Sequence, residues 1–288
     1  VGLPPPGVIL ILGGLLLPLL RGAAPAAALL LPLLTLGAIW GIPGDLEVSL
    51  PFMGQTLEVL SWQPATRVFA TIFALMAFGG ALFAHPITGL HSERGKRWQI
   101  ELPAAFVYAG SAICVTFAGD ILTLFMFWEL MAIGSTAVVW SAGTEGSARA
   151  GLRYALVHLV GGVVLMAGIL AHVFALQSHG VPDPLALSHF AFGAAGFDGL
   201  AFAAGDTAAW LILIGVLVNA AAPPLGAWLA DAYPEASESG TVFLSAFTTK
   251  TAVYVLMLLF AGTDLLIYVG LLMAVYGIVY AILENDMQ

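Results

Sequence analysis

Two ionisable side chains stand near the middle of runs that are otherwise apolar enough to cross a bilayer. Glu129 lies within GDILTLFMFWELMAIGSTAVVW (119–140) and Lys250 within TVFLSAFTTKTAVYVLMLLF (241–260). A charged group at that depth costs on the order of 2.5–3.5 kcal/mol on insertion scales, and it is normally turned toward a partner or a water-lined path. One buried acid and one buried base can move charge through a membrane. They can equally form a fixed ion pair that pins two helices together, and the spacing alone leaves both readings open. Glu129 is flanked by Phe125, Phe127 and Trp128, so it must find its polar neighbour on another helix. Lys250 sits among Ser245, Thr248, Thr249 and Thr251. Hydroxyls at that density either line a hydrated path or bond back to their own backbone.

Further polar residues lie in the two segments between them. In SARAGLRYALVHLVGG, Arg153 falls about a turn inside the boundary and His158 deeper. Five residues apart, they differ by about 140° around a helix and do not share a face. His158 is suited to a proton relay because an imidazole titrates near neutral pH, or it makes a plain hydrogen bond across to a neighbouring helix. Arg153 is expected to snorkel or to pair with an acid such as Asp120. His172, farther along the same helix, reads as interfacial. The segment WLILIGVLVNAAAPPLGAWLADAYPEAS carries Pro223 and Pro224 in mid-span. Two missing backbone donors should break the helix there, which is tolerated at membrane depth only where protein or a water-filled cavity receives the freed carbonyls. Asn219, one turn earlier, is placed to cap those carbonyls or to contact Glu129.

The elements that must position these residues follow from composition. The chain has 288 residues, 60% of them hydrophobic and 9% charged, with a mean hydropathy of +1.00. Soluble domains carry about 25% charged residues, so the fold class is an all-α polytopic membrane protein. About nine hydrophobic segments recur, near 7–20, 24–42, 67–85, 102–118, 119–141, 148–176, 207–230, 241–261 and 264–284. Between the second and third, the VSL and LEVLSW pieces around Met53-Gly54-Gln55 predict a small extramembrane hairpin. The polar tract 91–101 is the densest charge cluster, and 182–205 predicts a helix lying along the surface. Arg21, Arg94, Lys96, Arg97 and Arg149 all fall on one side of this layout. The positive-inside rule puts that side in the cytoplasm, with Val1 outside and Gln288 inside.

Other chemistries find no support. The formal charge of −9 comes mostly from loops, and no basic patch points to nucleic acid. A single cysteine, Cys114, rules out an intrachain disulfide or a cysteine-based zinc site and reads as core filler. There is no cysteine set for an iron–sulfur cluster, and neither a dinucleotide fingerprint nor a P-loop. No cofactor is expected. The start at Val1 lacks the basic region and cleavage site of a signal peptide, and LENDMQ follows an apolar helix directly, so the sequence reads as a fragment.

The ordered combination GDILTLFMFWELMAIGS, RYALVHLVGG, AAPPLGAWLADAYPEAS, SGTVFLSAFTTKTAVY and LENDM resembles the antiporter-like membrane subunits of respiratory complex I, membrane-bound hydrogenases and Mrp-type multisubunit Na+/H+ antiporters. It looks most like the D subunit of the Mrp type. The resemblance covers at least residues 100–288, and residues 1–90 match in layout only. It implies N-terminal helices with a hairpin in 1–100, a first five-helix half-channel with a Pro-broken seventh helix in 101–261, and the start of a following helix in 262–288. It implies that Glu129 is the fifth-helix glutamate of the family and Lys250 the eighth-helix lysine on a central hydrophilic axis. It also places Asn219 where the family usually carries a seventh-helix lysine, so either Glu129 works with Lys250 or His158, or this half does not conduct. The implied function is a subunit of a cation/proton antiporter that moves H+ along buried charged residues in a bacterial inner membrane, with Na+ as the candidate exchanged cation, partnered by other membrane subunits. The alternatives are a proton-pumping subunit of an NADH:quinone oxidoreductase or hydrogenase, the membrane half of an inorganic-carbon uptake system, and a non-conducting scaffold with Glu129 and Lys250 as a static pair.

Overall fold

The structure, a computed structural model, describes residues 3–63, 65–85, 98–193 and 207–283, without the side chains of Arg21 and Trp98. Arg94, Lys96 and Arg97 of the basic cluster, and residues 194–206 of the expected surface helix, therefore lie outside the described residues. Of that expected helix, the described part holds a 3-10 turn, Leu187–Phe190.

Helices α1 (Gly7–Leu16), α2 (Ala24–Gly41) and α3 (Thr66–Phe83) precede α4 (Trp98–Phe117), α5 (Ile121–Ser141) and α6 (Glu145–Ser178). They are followed by α7 (Thr207–Asn219), α8 (Ala227–Ala232), α9 (Glu238–Ala246), α10 (Thr248–Leu259) and α11 (Asp264–Leu283). Among the described residues the apolar runs thus appear as seven helical stretches long enough to cross a bilayer and two shorter ones, Gly7–Leu20 and Thr207–Asn219. The chain is an all-α polytopic membrane protein. One boundary differs from the sequence reading in a way that matters below. The stretch 241–261 is not a single helix with Lys250 at its centre, because it is interrupted at Phe247, three residues ahead of the lysine.

Helix α4 is the hub. It is buried over most of its length, whereas no residue of α11 is buried. Small residues let neighbours approach it closely. A Cβ on Gly7 of α1 would stand 2.1 Å from the carbonyl oxygen of Gly110, and one on Gly134 of α5 would stand 2.8 Å from the backbone nitrogen of Tyr108. Large apolar side chains on the outer faces of α5 and α6, such as Met126, Ile133, Leu152, Leu156 and Leu159, remain exposed, as expected of surfaces that meet lipid or other membrane helices.

At one end of the bundle sits the hairpin, β1 (Val48–Phe52) paired antiparallel with β2 (Gln55–Leu60). Its turn residues Met53 and Gly54 both have positive φ, 48° and 82°, the geometry that matches the twist of the strands it joins. The hairpin docks on the α4–α5 turn. Gly119 N–H donates to the Glu58 carbonyl at 2.8 Å, Ser61 N–H to that of Phe117 at 2.8 Å, and Glu58 N–H to Asp120 Oδ2 at 2.7 Å. Asp120 is also the N-cap of α5, accepting from Thr123 N–H at 2.7 Å. Arg67 lies between the rings of Trp62 and Trp40, 4.5 and 5.2 Å from their centroids, and ties α3 to α2.

The acids at this end repel one another. Burial first, then the charges of Glu47, Asp120 and Asp183, hold the Glu58 carboxyl above its ordinary value. A folded-state value above the unfolded one means that the folded form binds the proton more tightly. Its contribution is therefore complete below the ordinary carboxylate range and is lost as pH rises through the raised value. Glu58→Gln should increase hydrogen-exchange protection of the Glu58 and Gly119 amides near neutral pH, and the gain should vanish near about pH 4, where Glu58 is itself protonated.

Candidate functional site

The fifth and sixth helices are drawn together by a glycine. On α6, Gly161 faces α7, where an added Cβ would meet Val218 Cγ1 at 2.9 Å. The next residue, Gly162, faces α5, where an added Cβ would lie 2.2 Å from Glu129 Oε1. The Glu129 carboxyl thus rests on the bare backbone of α6. Between the two helices opens a cavity of about 270 Å³ lined by Glu129, Thr136, Trp140 and His158, together with apolar groups. Glu129 and His158, the two titratable residues expected to act, therefore face one space.

Each of them carries a buried polar atom without a protein partner, Glu129 Oε1 and His158 Nε2. His158 Nδ1 lies 2.9 Å from the Tyr154 carbonyl. A carbonyl only accepts, so the neutral ring carries its proton on Nδ1 and leaves Nε2 as a bare acceptor. The ring is fixed on both faces, stacked on Tyr154 at 4.0 Å and met edge-on by Trp228 at 4.6 Å. The cavity opens on the outer face of the two helices, where Ile133, Trp140 and Leu159 are exposed, so water or a neighbouring helix can supply the missing hydrogen bonds.

The break in the seventh span is built differently from the sequence expectation. Helix α7 ends at Asn219, and Ala222 N–H donates to the Leu217 carbonyl while Ala221 N–H donates to that of Val218, both at 3.1 Å. That pair of bonds around Ala221, whose φ is +59°, is a Schellman ending with alanine where glycine is usual. The left-handed conformation costs a residue with a Cβ on the order of 1–2 kcal/mol. Gly226 accommodates the turn, since a Cβ there would stand 2.2 Å from the Ala221 carbonyl oxygen. Pro223 and Pro224 then carry the chain to α8, from which the Trp228 indole donates to the Val218 carbonyl at 2.9 Å. Backbone and tryptophan thus satisfy the break, and Asn219 caps nothing. Its side chain is 1% exposed, with both amide atoms unpartnered.

Lys250 lies on the outside of the described chain, just past the interruption between α9 and α10. Its ammonium donates to the Ser245 carbonyl at 2.6 Å and to Thr249 Oγ1 at 3.1 Å. It makes no ion pair with Glu129, so a static Glu129–Lys250 pair is absent among the described residues. The expected pairing of Arg153 with Asp120 is also corrected. Arg153 forms a two-pronged ion pair with Asp231 of α8, at 2.6 and 2.7 Å. The hairpin and the start of α5 engage Asp120 at the opposite end of α6. His172, read as interfacial, is buried near the end of α6, with Nε2 2.9 Å from the His189 carbonyl.

Several participants escaped the sequence reading. Tyr154 stands four residues before His158 on the same helix, a spacing that was available as a signal. Glu101, taken as the end of a polar tract, is buried in the first turn of α4, where Ser141, Ser237 and Ser239 hydroxyls donate to its carboxylate. Ser237 is also the N-cap of α9, so Glu101 anchors the helix that leads to Lys250. Nothing in the residue pattern announced Tyr108, Tyr233 or Asp231.

The glycine at the Glu129 contact gives a direct test. Gly162→Ala should raise helix propensity yet force the carboxyl aside, for a net loss of about 1–2 kcal/mol in thermal unfolding. It should also speed modification of Glu129 by a hydrophobic carbodiimide, because the carboxyl leaves its place against α6. Gly161→Ala meets only a valine methyl and should leave that modification rate unchanged.

Comparisons with known proteins agree with this architecture. Residues 118–288 match the family described as NADH:quinone oxidoreductase/Mrp antiporter, transmembrane. An uncharacterised protein of Methanocaldococcus jannaschii is 28% identical over 210 residues, covering 69% of this chain and 41% of that protein. NADH-quinone oxidoreductase subunit N of Geotalea uraniireducens is 26% identical over 260 residues, covering 87% of this chain and 52% of that one. The chain thus spans about half the length of these relatives or less. Among solved structures, a chain of respiratory complex I from Thermus thermophilus superposes with a TM-score of 0.71 at 18% identity, over 98% of this chain and 59% of that one. A chain of the Mrp complex from a Dietzia species does so with a TM-score of 0.65 at 20% identity, over 88% and 47%. At these identities the structures speak to the fold. With a family match over more than half its length, the chain belongs to the antiporter-like membrane subunits of the NADH:quinone oxidoreductase/Mrp antiporter family.

Proposed function

We propose that this chain forms a proton-conducting part of a membrane subunit in a multisubunit cation/proton antiporter of the Mrp D type. The observation that supports it is the convergence of Glu129 and His158, from adjacent helices, on one cavity, each with a buried polar atom that has no protein partner among the described residues. A protonated carboxyl there can release its proton to a water, which passes one of its own to His158 Nε2, while Nδ1 keeps its proton and donates it to the Tyr154 carbonyl. Loss of that proton from the imidazolium toward α7 and α10 completes the step and restores the neutral ring. Asn219 accepts and donates hydrogen bonds but holds no proton, so it orders water without storing charge. Lys250, the next basic side chain, takes up the proton as a neutral amine once its ammonium has released its own proton to water on its exposed side.

In this reading the side bearing Arg21, Arg94, Lys96, Arg97 and Arg149 is cytoplasmic, in keeping with the positive-inside rule, and the hairpin lies outside. The partners are other membrane subunits. A second reading, a proton-pumping subunit of an NADH:quinone oxidoreductase-like complex, is favoured by the similarity to subunit N over 260 residues. The driving force distinguishes them, since inverted vesicles of the first kind respond to a Na+ pulse and those of the second to NADH.

Glu129→Gln and Lys250→Ala, each in the assembled complex, should reduce proton movement in inverted vesicles about a hundredfold, the lower end of the range for removing a group that transfers protons, with assembly unchanged on native gels. Full activity in both variants would make this part a scaffold and move the proton path to other helices.

A further inference from the structure

Between α9 and α10 the backbone is interrupted at Phe247, with φ −116° and ψ −64°. An unbroken helix would direct Thr248 N–H to the Leu244 carbonyl and Thr249 N–H to that of Ser245. Instead, Thr248 N–H donates to the phenol oxygen of Tyr108 at 2.8 Å, Thr248 Oγ1 is 2.5 Å from the same oxygen, and the phenol O–H points to the Leu244 carbonyl at 3.4 Å. One hydroxyl from α4 therefore stands in the gap of a helical hydrogen bond. Tyr233 donates to the Leu244 carbonyl as well, at 2.7 Å, but no bond joins it to Thr248. The carbonyl of Ser245, deprived of its amide, is the one that holds the Lys250 ammonium.

We propose that Tyr108 is a positioning residue for Lys250: its hydroxyl keeps the α9–α10 interruption open, and the interruption supplies the carbonyl on which the ammonium rests. The proposal rests on the reading that Lys250 takes part in proton movement, although the geometry of the interruption stands apart from it. The fit of the wedge is tight. Tyr108 is fully buried, Gly134 makes room for its backbone, and Phe247 meets its ring edge-on at 5.2 Å. Tyr154, the residue that stacks on His158, comes within 3.5 Å of Thr248 Oγ1. The interruption therefore also touches the helix that carries the imidazole. Without the phenol hydroxyl, Thr248 N–H has one replacement acceptor at hand, the Leu244 carbonyl. Taking it closes the helix, and Thr249 N–H then competes with Lys250 for Ser245.

The test is Tyr108→Phe in the assembled complex, which keeps the ring and removes the hydroxyl, with Tyr233→Phe as its control. The readout independent of transport is the rate of reductive methylation of Lys250 by formaldehyde and a membrane-permeant borane, followed by mass spectrometry. Tyr108→Phe should raise that rate about tenfold, the factor expected for losing a hydrogen bond to a charged group, and lower proton movement. Tyr233→Phe should leave the methylation rate near that of the unaltered protein. An unchanged methylation rate in Tyr108→Phe would overturn the inference. A raised rate with normal proton movement would uphold the positioning and sink the transport role of Lys250. If Tyr108→Phe fails to assemble, Thr248→Ala, which removes the Oγ1 contacts with Tyr108 and Tyr154 and keeps the amide bond to the phenol, should raise methylation by a smaller factor, and no rise there would overturn the inference equally.

Discussion

A helix that is interrupted inside a membrane frees backbone N–H and C=O groups, and with no bulk water to receive them each must find a partner within the protein. Two consecutive spans of this chain are interrupted, and much of the surrounding structure follows from satisfying them. At the end of α7 the backbone closes on itself through a Schellman turn, and Trp228 returns to take the Val218 carbonyl. At the α9–α10 interruption the chain relies on other elements. Tyr108 comes from α4, Tyr233 from the segment after α8, and Lys250 from α10 itself. The first break is self-contained and the second is shared, so the second is coupled to the hub of the bundle.

The same constraint explains why glycine is placed where it is. Helices in lipid gain little from burying apolar side chains against each other, and their association depends on close backbone approach. Gly7 against Gly110 and Gly134 against Tyr108 fix α1 and α5 on α4. Gly161 and Gly162, adjacent on α6, let that helix serve two neighbours at once. Because residues one apart differ by about 100° around a helix, one glycine admits Val218 of α7 and the other admits the carboxyl of Glu129. The geometry that packs the helices is the geometry that positions the acid.

Much of the fold was legible in the residues, because apolar runs of membrane length admit few alternatives. The hairpin was legible for a different reason, since Met53-Gly54 between alternating strands is a local turn signal. Glu129, Lys250 and the Pro223-Pro224 break stood out as costs that a membrane protein does not bear without use. What stayed hidden depends on contacts between elements. The interruption at Phe247 has no proline or glycine to announce it, because it is held by a phenol more than a hundred residues away in sequence. Arg153 found Asp231 and not Asp120, since α8 folds back beside α6 only after the break redirects the chain. Glu101 read as part of a charged loop because no periodicity shows that three serines, from α5 and from the start of α9, converge on it.

Asn219 gains meaning from the way its own break is satisfied. Had the freed carbonyls needed the amide, Asn219 would be a structural cap with its donors spent. The Schellman turn and Trp228 leave it with nothing to cap, and both amide atoms remain buried and open. An amide in that state is free to donate and to accept, yet it never changes charge. In the proposed path position 219 can therefore order water without becoming a resting place for a proton. A proton leaving the imidazole on that path finds no titratable side chain at position 219, and Lys250 can accept it only after its ammonium, held at the Ser245 carbonyl, has released its own.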